Sequence, residues 1–581
     1  MTVFQFVVSP SRGLFLLFLV GLCALSVLGQ VPTPTVSPTP ITIATPQLTS
    51  PVPEPPPVAP NFEATARPLP SAERVGVDIA NQLSLTVEQA IDMALRNNNS
   101  IEVSRNNFEI NQWNLKAARG VYDPLLNSQN FYESVTTPTA SRIGGAVNGA
   151  VTQNRFFSAG GVSGFTPWGG GEYTADFNAA RTTTSNTNSF LNPQYPSNFT
   201  ATYTQPLLRN FSIDQNRRQI QIARKNVELT DSQFRQQAIE IVSQVEQAYW
   251  NLVFALRDLQ VQIDAFKQAQ AQLESNQRQV EKGALAPIDV VATQAQLATF
   301  EQNIFTAQQV VTNVENTLKT LLLPDRTSAE WKRPITPVSP VALDSPKIGL
   351  EVATAEALKN RPELEQLDIN ADINQIDQRF YRNQTKPQID LVGTYTSQGL
   401  SGTPTSASLD TNGNTVVIPN LQGGIINSLG NLFQNDYPTY RVGVNISLPW
   451  GNHTAKANLG RSLAEGERIA NQRQLAEQTV EAEVRNALEA IRAAEARLSA
   501  AAAGREAANK LYESEQRQFR AGTTTLFLVL QRQQDLLSAR GRELLAQTQL
   551  NRAISDFYRA TGTTLKVNNI SVTNSTNIEK K

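Results

Sequence analysis

The sequence predicts a mixed α and β membrane protein, in which long antiparallel coiled-coil helices adjoin short membrane-length strands. Two long stretches carry apolar residues in steps of three, four and seven, with no proline to interrupt them. Beside them, segments of about nine residues alternate apolar and polar side chains, the length a tilted strand needs to cross a bilayer. Short patterns also return at constant offsets, so the folded part reads as two copies of one unit.

At the N-terminus, Arg12 precedes an apolar run from Leu14 to Leu28. That run is short for a secure span and suits a signal peptide, residues 1–29. Val27-Leu28-Gly29 offers small or tolerated residues for cleavage before Gln30. A lipid anchor on Cys23 is the alternative, but Leu22 stands where such signals want a small residue. Residues 30–82 follow as a Pro-rich disordered tail. Pro, Thr, Val and Ser dominate it, with Pro55-Pro56-Pro57 at its centre, and such a stretch favours extended chain over a core.

The folded part begins near Leu83. Ser84-Leu85-Thr86-Val87-Glu88 has the capping residue and first-turn acid of a helix start. Ala90, Ile91, Ala94 and Leu95 then recur at helical spacing, and a second helix is expected over 100–119. Ala94-Leu95-Arg96-Asn97 returns as Ala357-Leu358-Lys359-Asn360, and Pro124 returns as Pro387 at the same offset. At a second, shorter offset Val245, Ala248, Leu252 and Gly283 return as Val484, Ala487, Ile491 and Gly522. The expected organisation is a first repeat over 83–323, a linker over 324–349, a second repeat over 350–566 and a C-terminal tail over 567–581.

Each repeat holds one very long helix. In the first, Ile220, Ala223, Val227, Phe234, Ala238, Ile241, Val245, Ala248, Leu252, Ala255, Leu259, Ile263 and Phe266 form a heptad-like stripe. No proline falls between Phe211 and Lys282, so at ~1.5 Å per residue the helix reaches roughly 100 Å. The second spans about 454–520, with a small-residue seam through Ala494, Ala501 and Ala508. Shorter antiparallel helices are expected over 287–322 and 525–560.

Strands precede the long helices. Tyr440, Val442, Val444, Ile446 and Leu448 alternate with Arg441, Gly443, Asn445 and Ser447, giving one apolar face and one polar face. Residues 197–207 and 388–397 alternate less cleanly, and 125–133 is the weakest of four strands. A soluble sheet with one wet face shows the same alternation; the export signal favours a membrane. Pro206 and Pro449 mark the strand-to-helix junctions, where proline ends ladder pairing and pre-sets a helical dihedral. Gly-, Ser-, Thr- and Asn-rich segments over 134–196 and 398–436 read as long surface loops. The first leaves room for an extra hairpin, with Tyr173 and Phe177 in alternation.

Composition argues against most other functions. A net charge of −1 with 17% charged residues gives no basic footprint for nucleic acid. One cysteine and one histidine, His453, allow neither a disulfide framework nor a zinc site within a chain. His453 reads as a surface residue just past a strand. No constellation suggests an enzyme, and no cofactor or metal is expected.

Four strands cannot stand alone in lipid, because open edges leave N–H and C=O groups unpaired in hydrocarbon. Two copies give eight strands with a filled interior; three give twelve with a wider lumen. The ordered set of motifs resembles the outer membrane efflux protein family typified by TolC. It runs from the start at Leu85 to Leu95 through Asp123-Pro124-Leu125 and Gln205-Pro206-Leu207-Leu208-Arg209. It continues through Gly283, Asp289 and Val290 to Ala521-Gly522-Thr523.

The resemblance implies a homotrimer in the cell outer membrane, with a twelve-stranded barrel, four strands per chain, above a periplasmic α-barrel. It also implies a periplasmic membrane fusion (adaptor) protein and an inner-membrane pump of RND or ABC type as partners. The chain is then a passive duct for efflux or type I secretion. Carried over, the periplasmic tips are the turns around Gly283–Asp289 and Gly522–Leu528. TolC narrows its entrance with acids on the second-repeat tip; the matching positions here are Leu528 and Gln531, while Asp289 keeps the first-repeat acid. A seal made by Leu526, Phe527 and Leu528 rather than by charge is therefore expected. A structural or adhesive coiled-coil protein of the cell envelope is the alternative, though it leaves the paired strands unexplained.

Overall fold

The computed structural model describes residues 74–580 without 79, 141, 147, 341–344 and 573–577. The expected signal peptide, Cys23 and the Pro-rich tail as far as residue 73 lie outside the described residues.

The chain opens with β1 (Leu83–Leu85), α1 (Val87–Asn97) and α2 (Asn99–Arg119). Thr86 caps α1 in a reciprocal capping box with Gln89, and Asn98 caps α2. Four strands follow: β2 (Leu125–Pro138), β3 (Ala150–Phe165), β4 (Glu172–Thr184) and β5 (Leu191–Pro206). The long helix α3 (Gln215–Glu281) and its antiparallel partner α4 (Pro287–Leu322) come next. After β6 (Ile335–Pro337), the order of helices, strands and long helices occurs again. It comprises α5 (Leu350–Asn360), α6 (Pro362–Gln384), β7 (Gln388–Pro404), α7 (Ile425–Phe433), β8 (Tyr437–Ser447), α8 (His453–Arg520) and α9 (Leu526–Ala560). The chain closes with α10 (Thr564–Val567), β9 (Ile570–Val572) and β10 (Ile578–Lys580).

α3 is 67 residues long and α8 is 68, so each extends ~100 Å at the usual helical rise. The apolar stripe of α3 is buried along its middle. Phe234, Ala238, Ile241, Val245, Ala248 and Leu252 pack with Ile91 and Leu95 of α1 and with Val311, Leu318 and Leu322 of α4. Val480, Val484, Leu488 and Ile491 of α8 make the matching core with Ala353 and Ala357 of α5 and Leu550 and Phe557 of α9. The stretch expected as a linker carries β6, which pairs in parallel with β1. Arg74 is tied down beside it, 2.5 Å from the buried Glu315, which also pairs with Lys319 at 2.6 Å.

The strands form one antiparallel sheet in the order β2-β3-β4-β5-β7-β8. It has six strands, not the four expected per chain, because the segment over 134–196, where room was left for an extra hairpin, forms the hairpin β3–β4 and the start of β5. Its glycines hid the strand signal, yet they let large neighbours lie flat: a Cβ on Gly164 would collide with the Tyr173 ring. The other expected loop is also ordered in part, since β7 runs on to Pro404 and α7 lies within 398–436.

Both junction prolines need correction. Pro206 ends β5, still paired with Asp390, but α3 starts later, behind Asp214. Asp214 accepts from the Arg217 amide at 2.8 Å and from its guanidinium at 2.7 Å. Pro449 lies past the end of β8, and α8 starts after Asn452, whose backbone is left-handed. Neither proline sits in the first helical turn. His453 is exposed, as expected, and is the first residue of α8.

Candidate functional site: a two-faced sheet and two hairpin tips

Side chains alternate across a strand, and Cα partners in an antiparallel ladder share a face. The continuous register therefore sorts the whole sheet. One face carries Tyr440, Val442, Val444 and Ile446 of β8, Ile389, Leu391 and Tyr395 of β7 and Phe199, Ala201 and Tyr203 of β5. Tyr173, Ala175 and Phe177 of β4 continue it. The opposite face carries Thr394, Thr396, Thr200, Thr202, Thr204 and Asn445.

Charge follows the same division. The six strands of this sheet contain seven charged residues, and Glu133, Arg155, Glu172, Asp176, Asp390 and Arg441 all lie on the polar face. Only Arg181, near the loop end of β4, is on the other. A charge at mid-bilayer costs ~2–4 kcal/mol, so the apolar face suits lipid and the charged face suits a water-filled lumen. Among the described residues no helix is long and apolar enough to cross a membrane.

The outermost strands, β2 and β8, each have one edge without a strand partner among the described residues. Sequence reasoning missed three of the charged-face residues, Arg155, Glu172 and Asp176. The alternation of Tyr173 and Phe177 pointed to an extra hairpin there, and the residues between and beside them, Glu172 and Asp176, follow from it.

At the far end of the helices lie two tight turns built alike. Gly283 follows α3 with φ +72° and Gly522 follows α8 with φ +74°. In the first, Gly283 N–H donates to Val280 O at 2.9 Å and Ala284 N–H to Gln279 O at 2.8 Å. In the second, Gly522 N–H donates to Phe519 O and Thr523 N–H to Gln518 O, both at 3.0 Å. Both are Schellman caps, where glycine takes the left-handed position that a Cβ disfavours.

The tip side chains divide. Leu526 is only 3% exposed and is packed within its own chain, whereas Phe527 is 72% and Leu528 37% exposed. Of the three residues expected to form a seal, Leu526 thus anchors the hairpin and the other two face outward. Gln531 is exposed, and Asp289 is half-buried in the first turn of α4. Behind Asp289, a buried ladder links α3 to α4: Gln272 donates to Asn276 at 2.7 Å, Asn276 to Thr293 at 2.8 Å, and Thr293 to the Asp289 carbonyl at 2.8 Å. No cluster of three or more metal-ligating side chains occurs among the described residues.

The chain resembles solved outer-membrane channels along most of its length. The CmeC outer membrane channel of Campylobacter jejuni is 16% identical with a TM-score of 0.59, covering 82% of this chain and 86% of that one. VceC of Vibrio cholerae is 14% identical with a TM-score of 0.55, covering 82% of this chain and 96% of that one. The open MtrE channel of Neisseria gonorrhoeae is 16% identical with a TM-score of 0.55, covering 86% and 98%. No curated protein sequence matches the chain. The model of the outer membrane efflux protein family matches residues 172–322 and 353–563, beginning at the first residue of β4. With more than half of its length matched in this way, the chain belongs to the outer membrane efflux protein family.

Proposed function

We propose that three copies of this chain form a passive outer-membrane duct for efflux, fed at the hairpin tips by a periplasmic adaptor and an inner-membrane pump. The observation that carries this reading is the sheet: six of its seven charges lie on one face and both its edges are bare. In hydrocarbon each unpaired edge group costs several kcal/mol, so β2 of one copy pairs with β8 of the next. Three six-stranded sheets then close into eighteen strands rather than twelve, with a wider water-filled lumen. The helices continue the duct into the periplasm as an α-barrel.

The two-repeat organisation, over 83–323 and 350–566 with a linker between, fits this geometry. It gives each copy two helical hairpins, α3–α4 and α8–α9, and so two tips. Phe527 and Leu528 at the second tip narrow the entrance by apolar contact, while Asp289 supplies the acid of the first. Efflux of small molecules and type I protein secretion both use such a duct, and the pump selects the cargo. The alternative of an adhesive envelope coiled coil has no support in the family or the related folds.

Membrane fractionation followed by native mass measurement in detergent tests the proposal. An outer-membrane complex of three chains is expected. A water-soluble monomer or dimer would overturn it.

A further inference from the structure

The helix α7 is inside out. A helix lying on a soluble sheet buries its apolar stripe and shows water its polar one. Here two of the three buried residues, Ser428 and Asn431, are polar and the third is Leu432, while Ile426 is 80% and Phe433 78% exposed. Ile425 and the half-buried Leu429 flank them, and no residue of α7 is charged.

The seating explains how the polar side came to face inward. Ser397, Gly399 and Ser401 alternate along one face of β7 and meet α7 one turn at a time. Ser397 donates to the Leu432 carbonyl at 2.7 Å and Ser401 to the Gly424 carbonyl at 2.6 Å. Between them Ser197 of β5 donates to the Ser428 carbonyl at 3.2 Å. Two strand residues advance ~6.6 Å and four helical residues ~6 Å, so the two repeats stay nearly in step. Gly399 makes the close approach possible, since a Cβ there would collide with the Ser428 carbonyl oxygen. Asn431 also donates to Leu400 O at 2.9 Å, which fixes the helix rotation.

Register places this seat on the same face as Tyr395, Leu391 and Ile389, the apolar face of the sheet. Just below α7, Tyr395 stacks near Tyr440 with centroids 5.3 Å apart and near Phe199 at 6.4 Å. The Tyr395 hydroxyl donates to Asn435, beyond the end of α7, at 2.6 Å. Such an aromatic band is what barrels place at the lipid–water boundary. Phe433 sits at the band, and Ile426 is farther from it.

We infer that α7 is an interfacial anchor whose apolar stripe, Ile426 to Phe433, contacts outer-leaflet lipid at the boundary between headgroups and acyl chains. The inference rests on the lipid-facing side of the sheet under the proposed function. Lipid is the occupant because the stripe continues an apolar face already assigned to lipid and because α7 carries no charge. The serines beneath it would otherwise face that lipid, and the helix carbonyls take up their hydroxyl donors.

The test uses the full chain carrying Cys23→Ser, so that each introduced cysteine is its only one. Ile426→Cys, Phe433→Cys, Val442→Cys and the loop control Asn412→Cys are each labelled with a bimane fluorophore. The channel is reconstituted in phosphatidylcholine vesicles containing doxyl lipids, and iodide serves as the aqueous quencher. The expected result is that labels at 426, 433 and 442 lose most of their fluorescence to doxyl lipid and little to iodide, with the reverse at 412. Phe433→Cys should respond to the deeper doxyl position more than Ile426→Cys. Lipid quenching at 442 with iodide quenching at 426 and 433 overturns the anchor and leaves the channel standing. Protection of 426 and 433 from both quenchers means a neighbouring copy covers them, and it also overturns the anchor. Iodide quenching at 442 sinks the face assignment itself.

Discussion

Gly283 and Gly522 stop two very long helices by the same backbone device, and nothing lies within 4 Å of an added Cβ at either. The cost of a side chain there is thus conformational rather than steric, ~1–2 kcal/mol for a left-handed residue. Gly283→Ala and Gly522→Ala should speed amide exchange at Ala284 and Thr523, whose N–H groups close the caps, by roughly tenfold per 1.4 kcal/mol. Gly522→Asn should do so less, because Asn tolerates this conformation. Unchanged exchange in the alanine variants would mean that the caps do not hold the tips. Glu246 of α3 makes a different prediction. Burial holds its carboxyl above the ordinary range, against the hydrogen bonds from Ser555 and Asn568, and Asp556 pushes the same way as burial. The native state then binds more protons than the unfolded one between the ordinary value and the raised one. Stability therefore falls as pH rises from about 4.5 through the native pKa, and is lowest above it. Glu246→Gln should flatten that fall in denaturation midpoints measured across pH; an identical slope would exclude this residue as its source. The cap glycines were legible because a cap is local. Glu246 was not, since its partners stand 309 and 322 residues away.

At the scale of elements, periodicity revealed the helices better than the strands. The heptad stripe of α3 spans a continuous run, and its central residues from Phe234 to Ala255 are the ones buried. The strands β3 and β4 were read as a loop with room for an extra hairpin, and not as full strands, because Gly160, Gly161, Gly164 and the threonines weaken the alternation. A strand that packs small residues against large partners shows its pattern only once the partner is known. The helix α7 was illegible for a related reason: its buried side is mostly polar, with Leu432 the one buried apolar residue, and only the serines of β5 and β7 reveal why. Replacing Gly399 with Val should unseat α7, so that labels at 426 and 433 lose their lipid quenching while the label at 442 keeps it. At the tips, Phe527→Ser and Leu528→Ser should raise single-channel opening in planar bilayers. Gln531→Asn, which leaves the apolar contact intact, should not. An unchanged conductance in Leu528→Ser would remove the apolar seal.

At the scale of the whole molecule, the sequence pointed to a protein that cannot be complete as one chain, because strands in lipid need every edge paired. Six strands need closure in lipid as four do, and under the proposed function the larger number alters what the assembly encloses. A barrel widens roughly in proportion to its strand number, so under the proposed function β3 and β4 would enlarge the lumen and give it Arg155, Glu172 and Asp176, which share the charged face of the sheet. The pairing from β2 to β8, broken only by a bulge between Leu191 and Gln194, makes this an insertion within the sheet, not a decoration beside it. Electron cryomicroscopy of the channel extracted from the outer membrane into lipid nanodiscs tests the claim most directly, by counting the strands around one lumen. The account predicts eighteen, with β2 of each copy paired to β8 of the next; a closed barrel of twelve, with two strands of each chain folded away from the wall, would contradict it.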